Sequence, residues 1–247
     1  MFETLKGKRA LVTGGSRGIG RAISLALAKE GCDITVIYGG NDEAARSTLE
    51  ELLSLGVSAR AYRCDLTDPI SLEALPGEAF DVDIAVLNAS VQIRKTWTDI
   101  TPEEAQTQLN CNFVSSFRIL QKCVPYMKRE HWGRILTIGS VQEKKPHPDM
   151  LIYSASKAAQ TNLTLSLAGQ LARDGITVNN LAPGVIYTDR NREALSDAAY
   201  AQKVTDSIPM GYYGLPEDMA SLAVLLVSDE GRYITGQSVY ADGGKSL

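Results

Sequence analysis

Histidine is nearly absent from this chain: His131 and His147 are the only two in 247 residues. That scarcity excludes a zinc site built on histidines and argues against a nucleophile driven by a histidine base. Cysteine is sparse too. Cys32, Cys64, Cys111 and Cys123 stand apart, with no CxxC spacing for a metal or a redox disulfide, so no metal is expected. They read as small buried hydrophobes of a reducing compartment. There is no block of lysine and arginine, and the formal charge is −4, which argues against a nucleic-acid partner. No apolar run approaches the roughly 18 residues of a membrane span. Residues 1–6 carry no apolar stretch of the kind a signal peptide needs. The expectation is a cytoplasmic protein with no membrane partner.

What is present is an ordinary globular composition, 44% apolar and 22% charged, long enough for a substantial core. Short β-rich runs alternate with longer helical patterns. Strands are predicted over 9–13, 33–38, 59–64, 83–88, 134–139, 177–181 and 237–240. Helices are predicted over 18–30, 42–55, 102–129, 153–173 and 216–228. The run Ile84-Ala85-Val86-Leu87 is apolar throughout, as a strand covered on both faces must be. Ile19, Ile23, Ala26 and Leu27 recur at helical spacing, and Gly31 ends that helix. Thr101, Pro102 and Glu104 form a helix-start signature. The alternation implies an α/β fold, a doubly wound parallel sheet with helices on both faces. No linker-like stretch divides it, so one domain over 1–247 is expected. Segments 141–152 and 183–214 read as irregular. Both follow predicted strands, where such sheets build their ligand crevice.

Residues 9–30 read strand, glycine turn, helix, the context in which a glycine pattern carries meaning. Gly14, Gly18 and Gly20 allow a sharp turn, close approach to a pyrophosphate, and tight packing of helix on strand. The helix start offers unpaired N–H groups to the phosphates. A plain βα turn is the simpler alternative, yet four glycines between Gly14 and Gly20 are costly for one. NAD sites place an acid at the end of the second strand, on the ribose 2′-hydroxyl. Here that strand ends Tyr38-Gly39-Gly40-Asn41, and Arg17 in the turn suits a 2′-phosphate. NADP(H) is therefore the expected cofactor, with NAD(H) as the alternative.

Tyr153 and Lys157 lie four residues apart, on one face of a predicted helix. A phenol has an ordinary pKa of about 10, and a neighbouring ammonium favours its ionised form. Ser140 follows the fifth strand, where a hydroxyl can bind a carbonyl oxygen.

This ordered set resembles the short-chain dehydrogenase/reductase family along almost the whole chain. The matching segments are Thr13-Gly14, Ser16 to Gly20 with Arg17, Gly18 and Ile19, Cys64-Asp65-Leu66, Asn88-Ala89, Asn112, Ser140, Tyr153 with Lys157, Pro183-Gly184, and Asp242-Gly243-Gly244. The resemblance implies a Rossmann fold of seven parallel strands and a homo-oligomer, with a tetramer expected. It implies that Tyr153 is the general acid and base, and that Lys157 binds the nicotinamide ribose and primes Tyr153. Ser140 would orient the reacting oxygen, and Asn112 would hold a water linked to Lys157. Asp65 and Leu66 would meet the adenine, and Asn88 and Ala89 would line the cofactor cleft. Pro183, Gly184, Val185, Ile186 and Thr188 would pass beside the nicotinamide. Two departures stand out. Ser90 replaces a glycine and fits only with a negative φ. The stretch 65–88 is short and interrupted by Pro76-Gly77, so its helix should be a stub.

The substrate walls expected are 91–97, 141–152 and 185–207. Gln92, Arg94, Gln142 and Arg190 make them rich in cations and amides, as a carboxylate-bearing sugar acid or a polyol would require. The same loops resemble those of sugar-acid and polyol dehydrogenases. Glu143, Asp149, Asp189 and Glu193 leave open that these charges simply face water. Segments 13–20 and 137–140 also resemble 3-oxoacyl-carrier-protein reductases, the alternative activity. A non-catalytic NADP-binding sensor or scaffold is the alternative of another class.

Overall fold

Seven strands pair in parallel into one sheet of order β3-β2-β1-β4-β5-β6-β7 in a computed structural model that describes residues 5–68 and 70–247. Residues 1–4, part of the stretch read for a signal peptide, lie outside the described residues. The strands are β1 (Arg9–Thr13), β2 (Asp33–Tyr38), β3 (Ala59–Arg63), β4 (Ile84–Leu87), β5 (Gly133–Ile138), β6 (Ile176–Pro183) and β7 (Ser238–Ala241). Each coincides with a predicted strand to within two residues at either end. Val12 pairs with Val36 of β2 on one side and Val86 of β4 on the other. The strand order reverses between β1 and β4, which opens a crevice at their carboxyl ends.

The helices are α1 (Gly18–Lys29), α2 (Asp42–Ser54), α3 (Pro102–Leu109), α4 (Ser115–Arg129), α5 (Leu151–Leu171), α6 (Asp189–Ser196), α7 (Ala198–Asp206) and α8 (Pro216–Val227). Strand alternation sends Ala10 and Val12 into one apolar layer, with Ile23 and Leu27 of α1 and Val224 of α8. It sends Leu11 into the other layer, with Ile119 and Cys123 of α4 and Leu171 of α5. The sheet is covered on both faces, as its continuous apolar strands require. No helix among the described residues is long and apolar enough to cross a membrane.

Three expectations need comment. The predicted helix over 102–129 is interrupted by a π turn, Asn110–Val114, between α3 and α4. The segment 183–214, read as irregular, contains α6 and α7. Neither helix buries a residue, so neither carries the apolar stripe that periodicity detects. Between residue 65 and β4 the described residues form two short 3-10 turns, Ser71–Ala74 and Gly77–Phe80, in place of a full helix, matching the predicted stub.

Candidate active site

The glycine turn is shaped by contacts that leave no room for side chains. Gly14 and Gly18 have φ of 63° and 54°, in the left-handed region. A Cβ on Gly20 would stand 2.3 Å from the Gly14 carbonyl oxygen, and one on Gly14 would stand 2.8 Å from Asn88 Nδ2. Asn88 brackets the turn: its Nδ2 donates to the Thr13 carbonyl oxygen at 2.9 Å. The backbone N–H groups of Asn88 and Ala89 donate to Thr13 Oγ1 at 2.9 and 3.0 Å. Arg17 precedes α1 without capping it, and the first turn of α1 carries no acid. Its N–H groups therefore face the crevice as an anion site, and the turn fits a dinucleotide pyrophosphate.

At the other end of the turn, Tyr38, Gly39, Gly40 and Asn41 line the crevice. Asn41 caps α2 by accepting from the Ala44 N–H at 2.9 Å. Asp42 pairs with Arg63 at 3.4 Å and does not line the crevice. Asp65 lines the crevice while its Oδ1 accepts from Thr67 Oγ1 at 2.8 Å. Ser90 has no left-handed φ, since His131 is the single non-glycine residue with positive φ among the described residues. Its carbonyl and hydroxyl oxygens both accept from Arg190, at 2.7 and 2.9 Å.

Tyr153 and Lys157 share a face of α5 and line the same crevice. Lys157 Nζ lies 5.9 Å from the Tyr153 ring centroid. It donates to the Ile138 carbonyl at 2.6 Å and to Gln160 Oε1 at 3.2 Å. Burial, then the nearby Arg190 guanidinium, bring its pKa down to about 8. Ser140 Oγ accepts from the Gln142 N–H at 3.2 Å, which fixes the hydroxyl beside the crevice. Asn112 sits in the π turn, fully buried, and exchanges hydrogen bonds with the Val91 backbone at 2.8 and 2.9 Å. Its Nδ2 also donates to Ser156 Oγ, which in turn donates to the Tyr153 carbonyl oxygen at 2.7 Å. A π turn at such a point re-aims one side chain without ending the helix.

These residues enclose a crevice of about 610 Å³. Of the cofactor residues read from the sequence, Gly14, Ser16, Arg17, Gly18, Ile19, Asp65, Leu66, Asn88 and Ala89 line it, as do Pro183, Gly184, Val185, Ile186 and Thr188. Gly20 lies behind the turn, and Asn112 lies behind Val91. Gln92, Gln142 and Arg190 face the crevice. Arg94 does not. Its guanidinium lies outside, against Asp149 at 3.6 Å and the Tyr200 hydroxyl at 3.4 Å. Among the described residues no group of three or more His, Cys, Asp or Glu is placed to hold a metal.

The sequence gives Glu143 no role and leaves open that the charges of its loop face water; its carboxylate is bonded inside the fold. Its carboxylate accepts from Thr161 Oγ1 at 2.6 Å, Asn180 Nδ2 at 2.9 Å and Ser238 Oγ at 3.0 Å. It thereby joins the end of β5 to β6, β7 and α5 behind Ser140. An acid three residues after Ser140, in an otherwise cationic loop, was the available signal. Tyr200 and Val204 of α7, and Lys245, also line the crevice and were not singled out.

A family model described as enoyl-(acyl carrier protein) reductase matches residues 14–246. A 3-oxoacyl-[acyl-carrier-protein] reductase of Staphylococcus aureus is 37% identical over 96% of this chain and 97% of its own. A crystal structure of a 3-oxoacyl (acyl-carrier-protein) reductase of Agrobacterium tumefaciens C58 with NADP bound superposes with a TM-score of 0.92 at 34% identity, covering 98% of this chain and 96% of that one. A candidate 2-deoxy-D-gluconate 3-dehydrogenase of Agrobacterium tumefaciens with bound NADP gives 0.91 at 28% identity, covering 99% and 98%. Sheet order, glycine turn and relatives together make this chain a member of the short-chain dehydrogenase/reductase family of oxidoreductases.

Proposed function

We propose that this single-domain chain is an NADP(H)-dependent oxidoreductase that interconverts a secondary alcohol and a ketone, with a polar sugar acid or polyol as substrate. The observation that carries the reading is Tyr153 and Lys157 opening onto the same crevice as the glycine turn. The turn and the start of α1 hold the pyrophosphate, and Arg17 takes the 2′-phosphate. Asp42, paired with Arg63, does not line the crevice beside it. NADP in the two Agrobacterium structures supports this cofactor. When bound, the nicotinamide donates or accepts the hydride.

The chain's own residues manage one proton. Ser140 donates its hydroxyl hydrogen to the reacting oxygen and orients it. In reduction, Tyr153 delivers its proton to that oxygen; in oxidation it accepts one. The Lys157 ammonium favours the negative charge developing on the phenol oxygen and offers donors to the ribose hydroxyls. Asn112, through Ser156, holds Tyr153 in register, and its side chain is already committed to Val91 and Ser156.

Gln92, Gln142 and Arg190 give the substrate end its polar character. The second reading, a 3-oxoacyl-carrier-protein reductase, is favoured by the identity to the Staphylococcus aureus enzyme. Keto sugar acids and acetoacetyl thioesters, assayed side by side with NADPH, separate the two. Turnover of the thioester alone overturns the sugar-acid reading. We further propose that it works in the cytoplasm as a homotetramer. Phe117 on α4 and Leu165 on α5, exposed on long helices, support its association.

A further inference from the structure

Lys245 stands at the substrate end of the crevice, and nothing in the mechanism above uses it. It reaches that place through the turn after β7. Gly243 and Gly244 have φ of 64° and 85°, so the chain doubles back. Asp242 clamps the turn by accepting from the backbone N–H groups of Gly244 at 2.9 Å and Ser246 at 2.8 Å. Gly184 allows the close packing, since a Cβ there would stand 2.7 Å from Asp242 Cα. Lys145 ties down the same turn by donating to the carbonyl oxygens of Lys245 at 3.1 Å and Leu247 at 3.3 Å. The Lys245 ammonium is thus held by a built frame.

No salt bridge among the described residues fixes its charge, and Asp242 attracts it only from beyond ion-pair distance. Lys245 donates to Ser207 Oγ at 2.5 Å and, among the described residues, has no carboxylate within ion-pair distance. The Asp242 carboxylate is occupied by the turn. The neighbouring Lys145 adds a second positive charge, and burial with Lys145 draws the Lys245 pKa below the ordinary lysine value. An ammonium retaining free donors beside another cation favours an anionic partner.

The position separates this charge from the cofactor phosphates. β7 is the sheet edge farthest from β3, and Lys245 follows it, whereas Arg17 follows β1 near the middle of the sheet. Met150, Val204, Tyr200 and Gln142 line the crevice together with Lys245. The apolar side chains among them exclude water and strengthen an ion pair beside them.

We infer that Lys245 is a specificity-determining residue that pairs with the carboxylate of the substrate, so that the alcohol or ketone acted on is a free hydroxy or oxo acid. The inference rests on the oxidoreductase reading for its chemistry but not for its binding. Ionic recognition by one ammonium discriminates an acid from its neutral isostere, because the amide keeps the shape and loses the charge.

The test is isothermal titration of the protein saturated with NADP⁺. The probes are gluconate and 3-hydroxybutyrate, each against its primary amide, and NADPH formation is followed in parallel. Wild type, Lys245→Met and Lys245→Arg are compared, and NADPH binding reports that each variant is folded. At least one acid should bind wild type about tenfold or more tightly than its amide. That preference should fall to within about twofold in Lys245→Met and persist in Lys245→Arg. Acid and amide binding alike in wild type, neither binding, or a preference undiminished in Lys245→Met overturns the inference. A Lys245-dependent preference without any hydride transfer would overturn the oxidoreductase reading and leave the carboxylate site standing.

Discussion

The ammonium of Lys157 donates a 2.6 Å hydrogen bond to the carbonyl oxygen of Ile138 at a position where the lysine is 1% exposed. Burial and Arg190 hold its pKa near 8, below the value of about 10.4 expected of the unfolded chain. Between those values the unfolded chain binds more protons, so stability rises with pH. The penalty for burying the charge is full below pH 8 and is relieved as pH climbs toward 10. Urea unfolding of wild type and Lys157→Met at pH 7.5 and 10 should show the difference moving in favour of wild type by on the order of 2 kcal/mol. A difference that does not change with pH would contradict this placement of the charge.

In the proposed mechanism Tyr153 supplies the proton while the glycine turn holds the cofactor, so the two roles are separable. Tyr153→Phe should lower kcat by roughly 10²- to 10⁴-fold, with NADPH affinity within about twofold of wild type. An unchanged turnover would remove Tyr153 from the chemistry; a protein that binds NADPH and turns over no alcohol or ketone even as wild type would be a binder.

Gly20 stands against the Gly14 carbonyl, where an added Cβ would approach to 2.3 Å. Gly20→Ala must push the turn and α1 apart. The expected loss of stability is about 1–3 kcal/mol, read by thermal unfolding, together with NADPH binding weakened about tenfold. Retention of both would mean that α1 can retreat without strain.

Arg17 lies in the glycine turn and lines the crevice, where it is proposed to meet the 2′-phosphate. Removing it in Arg17→Ala deletes a charge-assisted hydrogen bond to a 2′-phosphate, worth about 1.5–3 kcal/mol. NADPH should therefore bind roughly tenfold or more weakly, while NADH binding stays level. Wild type binding NADH tenfold more tightly than NADPH would overturn the cofactor assignment.

Phe117 and Leu165 are 43% and 49% exposed on α4 and α5. Light scattering at micromolar concentration should give a homotetramer, and the double substitution Phe117→Glu with Leu165→Glu should yield smaller species. A wild-type monomer would refute the association.

Much of this was legible in the residues, for reasons that can be named. β1 and β2 are apolar runs between polar ends, so burial on both faces shows in composition alone. Gly14 and Gly20 have steric grounds that any side chain would violate. Tyr153 and Lys157 need only helical geometry to meet. The π turn at Asn110–Val114 was hidden because one extra residue in a turn hardly disturbs a long helical pattern. The place of Glu143 was not legible because its partners Asn180 and Ser238 lie 37 and 95 residues further on. Lys245 joins the crevice only through a glycine turn whose direction the letters do not encode.

The two ends of the crevice differ in how firmly they are built. The glycine turn is wedged between β1, β4 and α1, and any atom added at Gly14 or Gly20 collides with the backbone or with Asn88. α6 and α7, which cover the substrate end, bury no residue at all. Substitutions there are cheap in folding free energy, since surface changes typically stay within about 0.5 kcal/mol. The architecture thus lets evolution retarget the enzyme by editing its cover, generation after generation, while the coenzyme berth admits almost no drift.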